Sequence, residues 1–358
     1  MVKKTGIQSG SQPPDQDGST IPKYQGSTVR VGPMGQIPSM LRSFGIDPGP
    51  IFDDLGFTLE QFKDPDHQIS YLQIGRLLSR CVAESGCEHF GLLLGQSASP
   101  SHLGVPGFLV QSAPNVAHAL SDLLHNLDLH DQGGSVTLNT FHDVTVLGYT
   151  IHQPGVEAVE QIFDLAAAMV YNIMRTLCGN TWVSKEVILA RKRPCNIKPY
   201  SLFFKAPIRF NAEETAIAFP SHWLQRAVPS FDELLHDHIE KEARVLHGQK
   251  HQQLLDRLPR VLHLGIQKRQ FSVQEISTQF KINERTMHRR LKAAGTSFRH
   301  ELDGVRQTLS LQLLASTNLS IAEIAEALAY KGSSSFIRAF KRWNDESPQT
   351  WRRRNSQA

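Results

Sequence analysis

Arg285, His288 and Arg289 fall at i, i+3 and i+4, so a helix would carry all three on one face. An Arg guanidinium can donate two parallel hydrogen bonds to guanine O6 and N7, and a His ring can donate to or accept from a base edge. Chemistry of that kind is the reading of duplex DNA. The three residues sit in a basic run, Arg285-Thr286-Met287-His288-Arg289-Arg290-Leu291-Lys292. A second cationic run, Ser335-Phe336-Ile337-Arg338-Ala339-Phe340-Lys341-Arg342, lies downstream. Met287, Leu291, Phe336 and Phe340 interrupt these runs and are read as core.

Two helix starts must position the runs. Ser272-Val273-Gln274-Glu275-Ile276 recurs as Ser320-Ile321-Ala322-Glu323-Ile324, 48 residues later. Each reads as a capping box, in which Ser and Glu satisfy each other's backbone N–H groups. A short apolar helix follows (Ile276 and Phe280; Ile324 and Leu328), then the cationic run. A capped helix, a turn and a cationic helix make a helix-turn-helix whose second helix enters the major groove. The two units span about 272–293 and 320–343. A long helix over about 297–314 joins them, with Phe298, Leu302, Val305, Leu309 and Leu313 inside and Arg299, His300 and Arg306 outside. It would hold the recognition helices at a fixed separation, and both reach one face of the duplex only if they lie about one turn (~34 Å) apart.

Charge follows the same division. Of 358 residues, 252–358 carry 18 Lys and Arg against 9 Asp and Glu, whereas 1–251 carry 20 against 25. The basic excess is the electrostatic footprint of a nucleic-acid module. Cys81, Cys87, Cys178 and Cys195 lack disulfide or zinc spacing and suit a reducing compartment. Lys3 and Lys4 precede a polar stretch rather than a leader, and no apolar run approaches membrane length. The expected location is therefore cytoplasmic, at the nucleoid through DNA binding, with no membrane partner. Thirteen of 16 histidines precede residue 252. Neither His125/His130 nor His236/His238 has ligand spacing, so no metal and no cofactor is expected.

Residues 1–30, rich in Gly, Ser, Gln and Pro, read as a disordered tail. Residues 31–247 read as one α+β domain: helices over 34–96, a breaker-rich loop over 100–107 and a helix over 115–129. Paired strands follow at 136–138 and 144–151, then a long apolar helix over 156–177 and a strand at 187–190. A hairpin over 207–210 and 216–219 comes next. Last is a helix over 231–247 with Leu234, Leu235, Ile239, Ala243 and Leu246 on its buried side. Residues 247–250 read as a hinge, and 252–358 as an all-α DNA-binding domain.

The constellation from Ser272 to Trp351 resembles the DNA-binding domain of the AraC/XylS family of bacterial transcription regulators. The resemblance is carried by Asn283 to Leu291, Gly295-Thr296-Ser297-Phe298, Arg306, Leu319 to Ala325, Ser335 to Trp343, Ser347-Pro348 and Trp351-Arg352. It implies that Arg285, His288 and Arg289 in the first unit, and Ser334, Ser335 and Arg338 in the second, are base-contacting positions. Arg290, Lys292, Lys331, Lys341 and Arg342 are assigned to phosphates, which position without specifying. Leu328-Ala329-Tyr330 stands where the family has Leu-Gly-Phe. A turn glycine displaced to Gly332 would accommodate this and leaves the start of the second recognition helix open.

Phe90 to Gly95, Gly104 to Phe108, Arg209-Phe210-Asn211 and Ile217 to Pro220 resemble the effector-binding domain of a subgroup that includes regulators responding to ornithine. This implies a sensory or dimerising first domain. His152, Phe163, Tyr171, Asn172 and Arg175, on or near the long apolar helix, are the expected effector-binding residues. The chain thus reads as an effector-controlled, sequence-specific transcription regulator. The alternative is a constitutive DNA binder whose first domain only dimerises. Expected partners are operator DNA, a small metabolite, RNA polymerase and a second copy of the chain. A fused DNA alkyl-transfer enzyme is disfavoured, because neither Cys178 nor Cys195 has the His neighbour of an activated thiolate.

Overall fold

The computed structural model describes residues 26–249 and 254–355. Most of the expected tail lies outside them. Its last residues do not belong to a tail: Thr28–Arg30 form strand β1, antiparallel to β2 (Gln68–Ser70), with Val29 opposite Ile69 in the core. Between and after them come helices α1 (Ile37–Ser43), α2 (Pro48–Asp54), α3 (Tyr71–Ser85) and α4 (Phe90–Gln96). Helix α5 (Val105–Ser112) begins inside the segment read as a loop. Pro106 lies in its first turn, where the missing N–H costs nothing, so a helix-start signal was read as a breaker. Helix α6 (Val116–Asn126) follows, capped by the Asn115 side chain, which accepts from His118 N at 2.9 Å.

The main sheet has the order β3-β4-β7-β5-β6, from β3 (Gly134–Phe141), β4 (Val144–Ile151), β5 (Glu186–Ile188), β6 (Ile208–Arg209) and β7 (Thr215–Pro220). The expected β3–β4 hairpin forms, with Val136 opposite Tyr149 and Phe141 opposite Val144. The expected hairpin between 207–210 and 216–219 does not. Strand β5 lies between them, antiparallel to β7 and parallel to β6. Helix α7 (Val159–Cys178) packs on the sheet and on α4, and is buried almost all round. Its approach to α4 uses two glycines: a Cβ on Gly91 would lie 2.0 Å from Gln161 O, and one on Gly95 would lie 2.5 Å from the Ala168 Cβ. Helix α8 (Lys198–Phe204) follows, burying Tyr200 and Phe204.

Helix α9 (Glu233–Gln249) includes residues 247–249 of the expected hinge; Lys250 lies outside the described residues. Its buried side is narrower than expected. Ile239 and Ala243 pack with Leu109 and Leu129, whereas Leu234 is 84% and Leu235 50% exposed. The helix lies against α5, with Leu246 also packed on that cluster.

From Leu254 the chain is helical: α10 (Leu254–Lys268), α11 (Val273–Gln279), α12 (Glu284–Ala293), α13 (Phe298–Ser316), α14 (Ile321–Ala327), α15 (Ser333–Asn344) and α16 (Pro348–Asn355). These build two small cores. One holds Ile276, Met287 and Leu291, the other Ile324, Phe336 and Phe340, and Leu309 of α13 touches both.

The turn in each helix-turn-helix unit is set by a left-handed residue just past the first helix. Lys281 and Ala329 both have φ of 54°. Gly332 has φ of 167°, so it is extended and caps α15; the turn remains at Ala329. An L-residue in this region costs about 1–2 kcal/mol, partly offset by the smaller unfolded-state entropy of Ala. Ala329→Gly is therefore expected to stabilise the chain by roughly 0.5–1 kcal/mol, read as a higher urea midpoint.

Candidate DNA interface and effector cavity

Both capping boxes form. The Ser272 Oγ accepts from Glu275 N at 3.2 Å, and a Glu275 carboxylate oxygen accepts from Ser272 N at 2.8 Å. Ser320 and Glu323 repeat the arrangement at 3.2 and 2.6 Å. The serine hydrogen bonds hold both carboxyls below the usual glutamate range. Each helix start is thereby fixed, and with it the face that the next helix presents.

On α12, Met287 and Leu291 are buried, and Arg285, His288, Arg289, Arg290 and Lys292 are exposed together. On α15, Phe336 and Phe340 are buried, and Ser334, Arg338, Lys341 and Arg342 are exposed, with Lys331 exposed just before the helix. Ser335 is half-buried, and its hydroxyl donates to Gly332 O at 2.6 Å. Arg342 is engaged with Asp303 at 2.9 Å and lies over Trp343.

Arg306, expected on the outside of the linking helix, turns inward. Its Nε donates to Leu328 O at 3.0 Å and its Nη2 to Ala329 O at 3.3 Å. The guanidinium lies between the rings of Phe271, at 4.9 Å, and Tyr330, at 4.4 Å. One residue thus ties the turn of the second unit to the lead-in of the first. A helical wheel shows it as polar and therefore outside; only the facing aromatic rings and orphan carbonyls reveal the clamp.

The helices after 254 dock on the first domain through α10 and α13. Arg260 donates to Leu124 O at 2.8 Å, Gln267 to Glu214 at 3.1 Å and Gln312 to Gln153 O at 3.4 Å, while Asn318 N donates to Asn211 Oδ1 at 3.0 Å. His263 is buried at this junction close to His152, whose Nε2 lies 3.1 Å from Gln132 O. Burial, opposed by the hydrogen bond to Gln132 and helped by Arg260, pushes His152 down to about 4 from the ordinary 6.5, and burial with His152 nearby pushes His263 down to about 3. Folded values below the unfolded ones mean that the stability these neutral histidines contribute is fully present above about pH 6.5 and is lost as pH falls toward 4. If that stability holds the two parts together, the radius of gyration from small-angle scattering is expected to rise between pH 7 and pH 4, and His263→Leu to flatten that rise.

A cavity of about 70 Å³ lies in the first domain between α7, α3 and the β3–β4 hairpin. Six residues of α7 line it: Ile162, Leu165, Ala166, Met169, Val170 and Ile173. Its polar end is a chain of hydrogen bonds. Asp131 accepts from Gly133 N at 2.9 Å, Gly134 N at 2.7 Å and the Tyr149 hydroxyl at 2.7 Å, and Tyr149 is 2.7 Å from the Tyr71 hydroxyl. Burial raises Asp131 from its ordinary value and holds both phenols well above theirs. His130 also faces the cavity; burial, with Arg30 and His102 nearby, pushes it down to about 3, so the ring is neutral.

None of the five residues expected to bind the effector lines this cavity. Phe163 and His152 lie toward the docking junction, Phe163 beside a second, 20 Å³ cavity that His263 and Gln312 share. Tyr171 packs among Trp182, Phe203 and Phe204. Asn172 donates to Gly95 O, Gln96 O and Ala98 O, pinning the end of α4. Arg175 is exposed and donates to Asn180. The cause is helical phase: the cavity faces the 162-165-166-169-170-173 stripe, and 171, 172 and 175 lie off it. Tyr71, His130, Asp131 and Tyr149, which do line it, are brought together only by the tertiary fold.

Burial pushes the Cys81 and Cys178 thiols up to about 12, so neither is a thiolate nucleophile at neutral pH. Among the described residues no group of three or more His, Cys, Asp or Glu is placed to hold a metal ion, and no helix is long and apolar enough to cross a membrane.

Residues 45–228 match the family model described as the arabinose-binding domain of AraC transcription regulator, and residues 276–354 match a helix-turn-helix domain. The chain is 26% identical over 326 residues to the ornithine utilization regulator of Pseudomonas aeruginosa, covering 87% of this chain and 93% of that protein. It is 23% identical over 342 residues to the HTH-type transcriptional regulator VirS of Mycobacterium tuberculosis, covering 91% and 97%. Among solved structures it is similar to the transcriptional regulator CdpR of Pseudomonas aeruginosa, at 22% identity and a TM-score of 0.44 over 89% of this chain and 96% of that one.

Proposed function

This chain belongs to the family of AraC transcription regulators, and from that premise we propose that the cavity bounded by α7, α3 and the β3–β4 hairpin is its effector site. The chain is a DNA-binding transcription regulator with an effector-type first domain. In the proposed scheme residues 252–358 bind DNA, Arg285, His288, Arg289, Ser334, Ser335 and Arg338 read bases, and Arg290, Lys292, Lys331 and Lys341 meet phosphates. Arg342 joins the phosphate set by exchanging Asp303 for a phosphate oxygen. The operator-bound chain, paired with a second copy, would act on RNA polymerase.

One observation supports the coupling. The segment from Leu123 to Asp131 carries cavity-lining residues, including Leu123, Leu127, His130 and Asp131, and also Leu124, whose carbonyl accepts from Arg260 of α10. The Asp128 and Asp131 carboxylates act electrostatically on the same guanidinium. A ligand that shifts this segment acts directly on the docking helix, and it changes DNA affinity by its differential affinity for the docked and released states.

The test is an operator-binding titration with a metabolite panel, using the full chain and residues 252–358. Both should bind DNA with affinity that falls steeply with salt, because phosphate contacts release counterions. At least one metabolite should change the affinity of the full chain and leave that of 252–358 unchanged. A full chain that no metabolite moves would replace this reading with constitutive binding.

A further inference from the structure

We propose that the cavity takes a small, neutral, largely apolar molecule of about one ring, carrying a single hydroxyl-type head, and that it rejects amino acids and sugars. The inference rests on the reading of the cavity as the effector site.

The walls are hydrocarbon and thioether: Leu78, Leu123, Ile162, Leu165, Met169 and Ile173 among them. No Lys or Arg lines the space. An amino acid or other carboxylate would bury its charge beside Asp131 with no cation to meet it, which costs several kcal/mol. An ammonium group fares little better. Asp131 already accepts three hydrogen bonds, and Arg260 acts on it from the docking side. A sugar would carry several hydroxyls to a wall that offers them almost no partners.

The polar end is built for one head group. The Tyr149 hydroxyl donates to Asp131, so the proton between the two phenols belongs to Tyr71, which donates to Tyr149. That direction leaves the Tyr71 oxygen as an acceptor. His130 is buried, faces the cavity, and its Nδ1 has no hydrogen-bond partner. An acceptor and an unpartnered ring nitrogen at one end of an apolar space match a single O–H. The space, about 70 Å³, is smaller than the roughly 150 Å³ engineered cavity that holds benzene. Met34 and Met169 lie on its walls, and their unbranched side chains can swing to admit a ring.

The experiment measures binding to the full chain by calorimetry and thermal shift, with p-cresol, toluene, p-toluate, L-ornithine and L-arabinose as probes. p-Cresol should bind at one site, roughly three- to tenfold more tightly than toluene for one neutral hydrogen bond. The other three should not bind over the same range. Ala166→Leu, which fills the space, should abolish p-cresol binding with circular dichroism unchanged. Tyr71→Phe, a second variant should the first fail to fold, should keep toluene binding and remove the advantage of p-cresol. The proposal is overturned if neither p-cresol nor toluene binds, or if p-toluate binds as well as p-cresol. A change of DNA affinity with ornithine or arabinose that Ala166→Leu removes would overturn the ligand class and keep the cavity as the effector site. A change that Ala166→Leu leaves intact would take the cavity out of the effector role, and this proposal with it.

Discussion

Alanine at Arg289 or at Arg338 is expected to weaken binding to the cognate operator by roughly 1–3 kcal/mol each, if each Arg makes a bidentate guanine contact. Both side chains are exposed on recognition helices whose opposite faces are locked into cores, Arg289 beside Met287 and Leu291, Arg338 beside Phe336 and Phe340. Neither has a protein ion-pair partner among the described residues that it must leave to meet a base, unlike Arg342 with Asp303. Losses on random DNA should be much smaller. In the proposed scheme the two helices read different segments, so the relaxed base positions should lie about one turn apart. Lys292→Ala should behave differently, weakening all sequences alike and lowering the salt slope by about one. Equal losses on cognate and random DNA for the two arginines would reassign them to phosphates. Competition binding at two salt concentrations separates the outcomes.

Phe336→Ala should have the largest effect on stability, roughly 3–5 kcal/mol, the range for removing a fully buried aromatic ring. The second helix-turn-helix unit has a small core, and Phe336 touches both Tyr330 and Phe340 within it. So large a loss from so small a core should unfold α14 to α16 before the rest. The first unit has its own core around Ile276, Met287 and Leu291, so it should persist. Two-step urea unfolding is expected, with operator footprinting protected over only one groove segment. A single cooperative loss of the whole chain would show that the two cores are not separable.

The helix-turn-helix units were legible in the sequence because their signals are local. A Ser and a Glu three residues apart define a start, and apolar residues at helical spacing define the buried face. Where one local signal has two meanings, reading failed. Pro106 opens α5 although it looked like a breaker, and Ala329 makes the turn assigned to a glycine. Leu234 and Leu235 belong to the apolar stripe of α9 by spacing but remain 84% and 50% exposed. Sheet order failed for a different reason. Strands at 207–210 and 216–219 are sequence neighbours, yet β5 lies between them, and nothing local records that insertion. The cavity was least legible. The Tyr71 and Tyr149 hydroxyls that define its polar end are 78 residues apart in sequence. Phe163, Tyr171, Asn172 and Arg175 lie on the helix that lines the cavity but off its cavity-facing stripe, and His152 lies before that helix.

The clamp made by Arg306 bears on which operators the chain can accept. Each base pair inserted between two recognition segments rotates the second by about 34–36° around the duplex axis and moves it about 3.4 Å along it. A flexible tether between reading heads could follow that displacement. Here α13 is one continuous helix, and Arg306 adds hydrogen bonds to Leu328 O and Ala329 O together with contacts to the rings of Phe271 and Tyr330. With both helices in the groove, as proposed, the protein would act as a gauge of fixed phase. Operators with an altered spacer must be overwound, underwound or bent to fit, and the cost falls on the DNA, so the sequence of the uncontacted spacer becomes part of what is recognised.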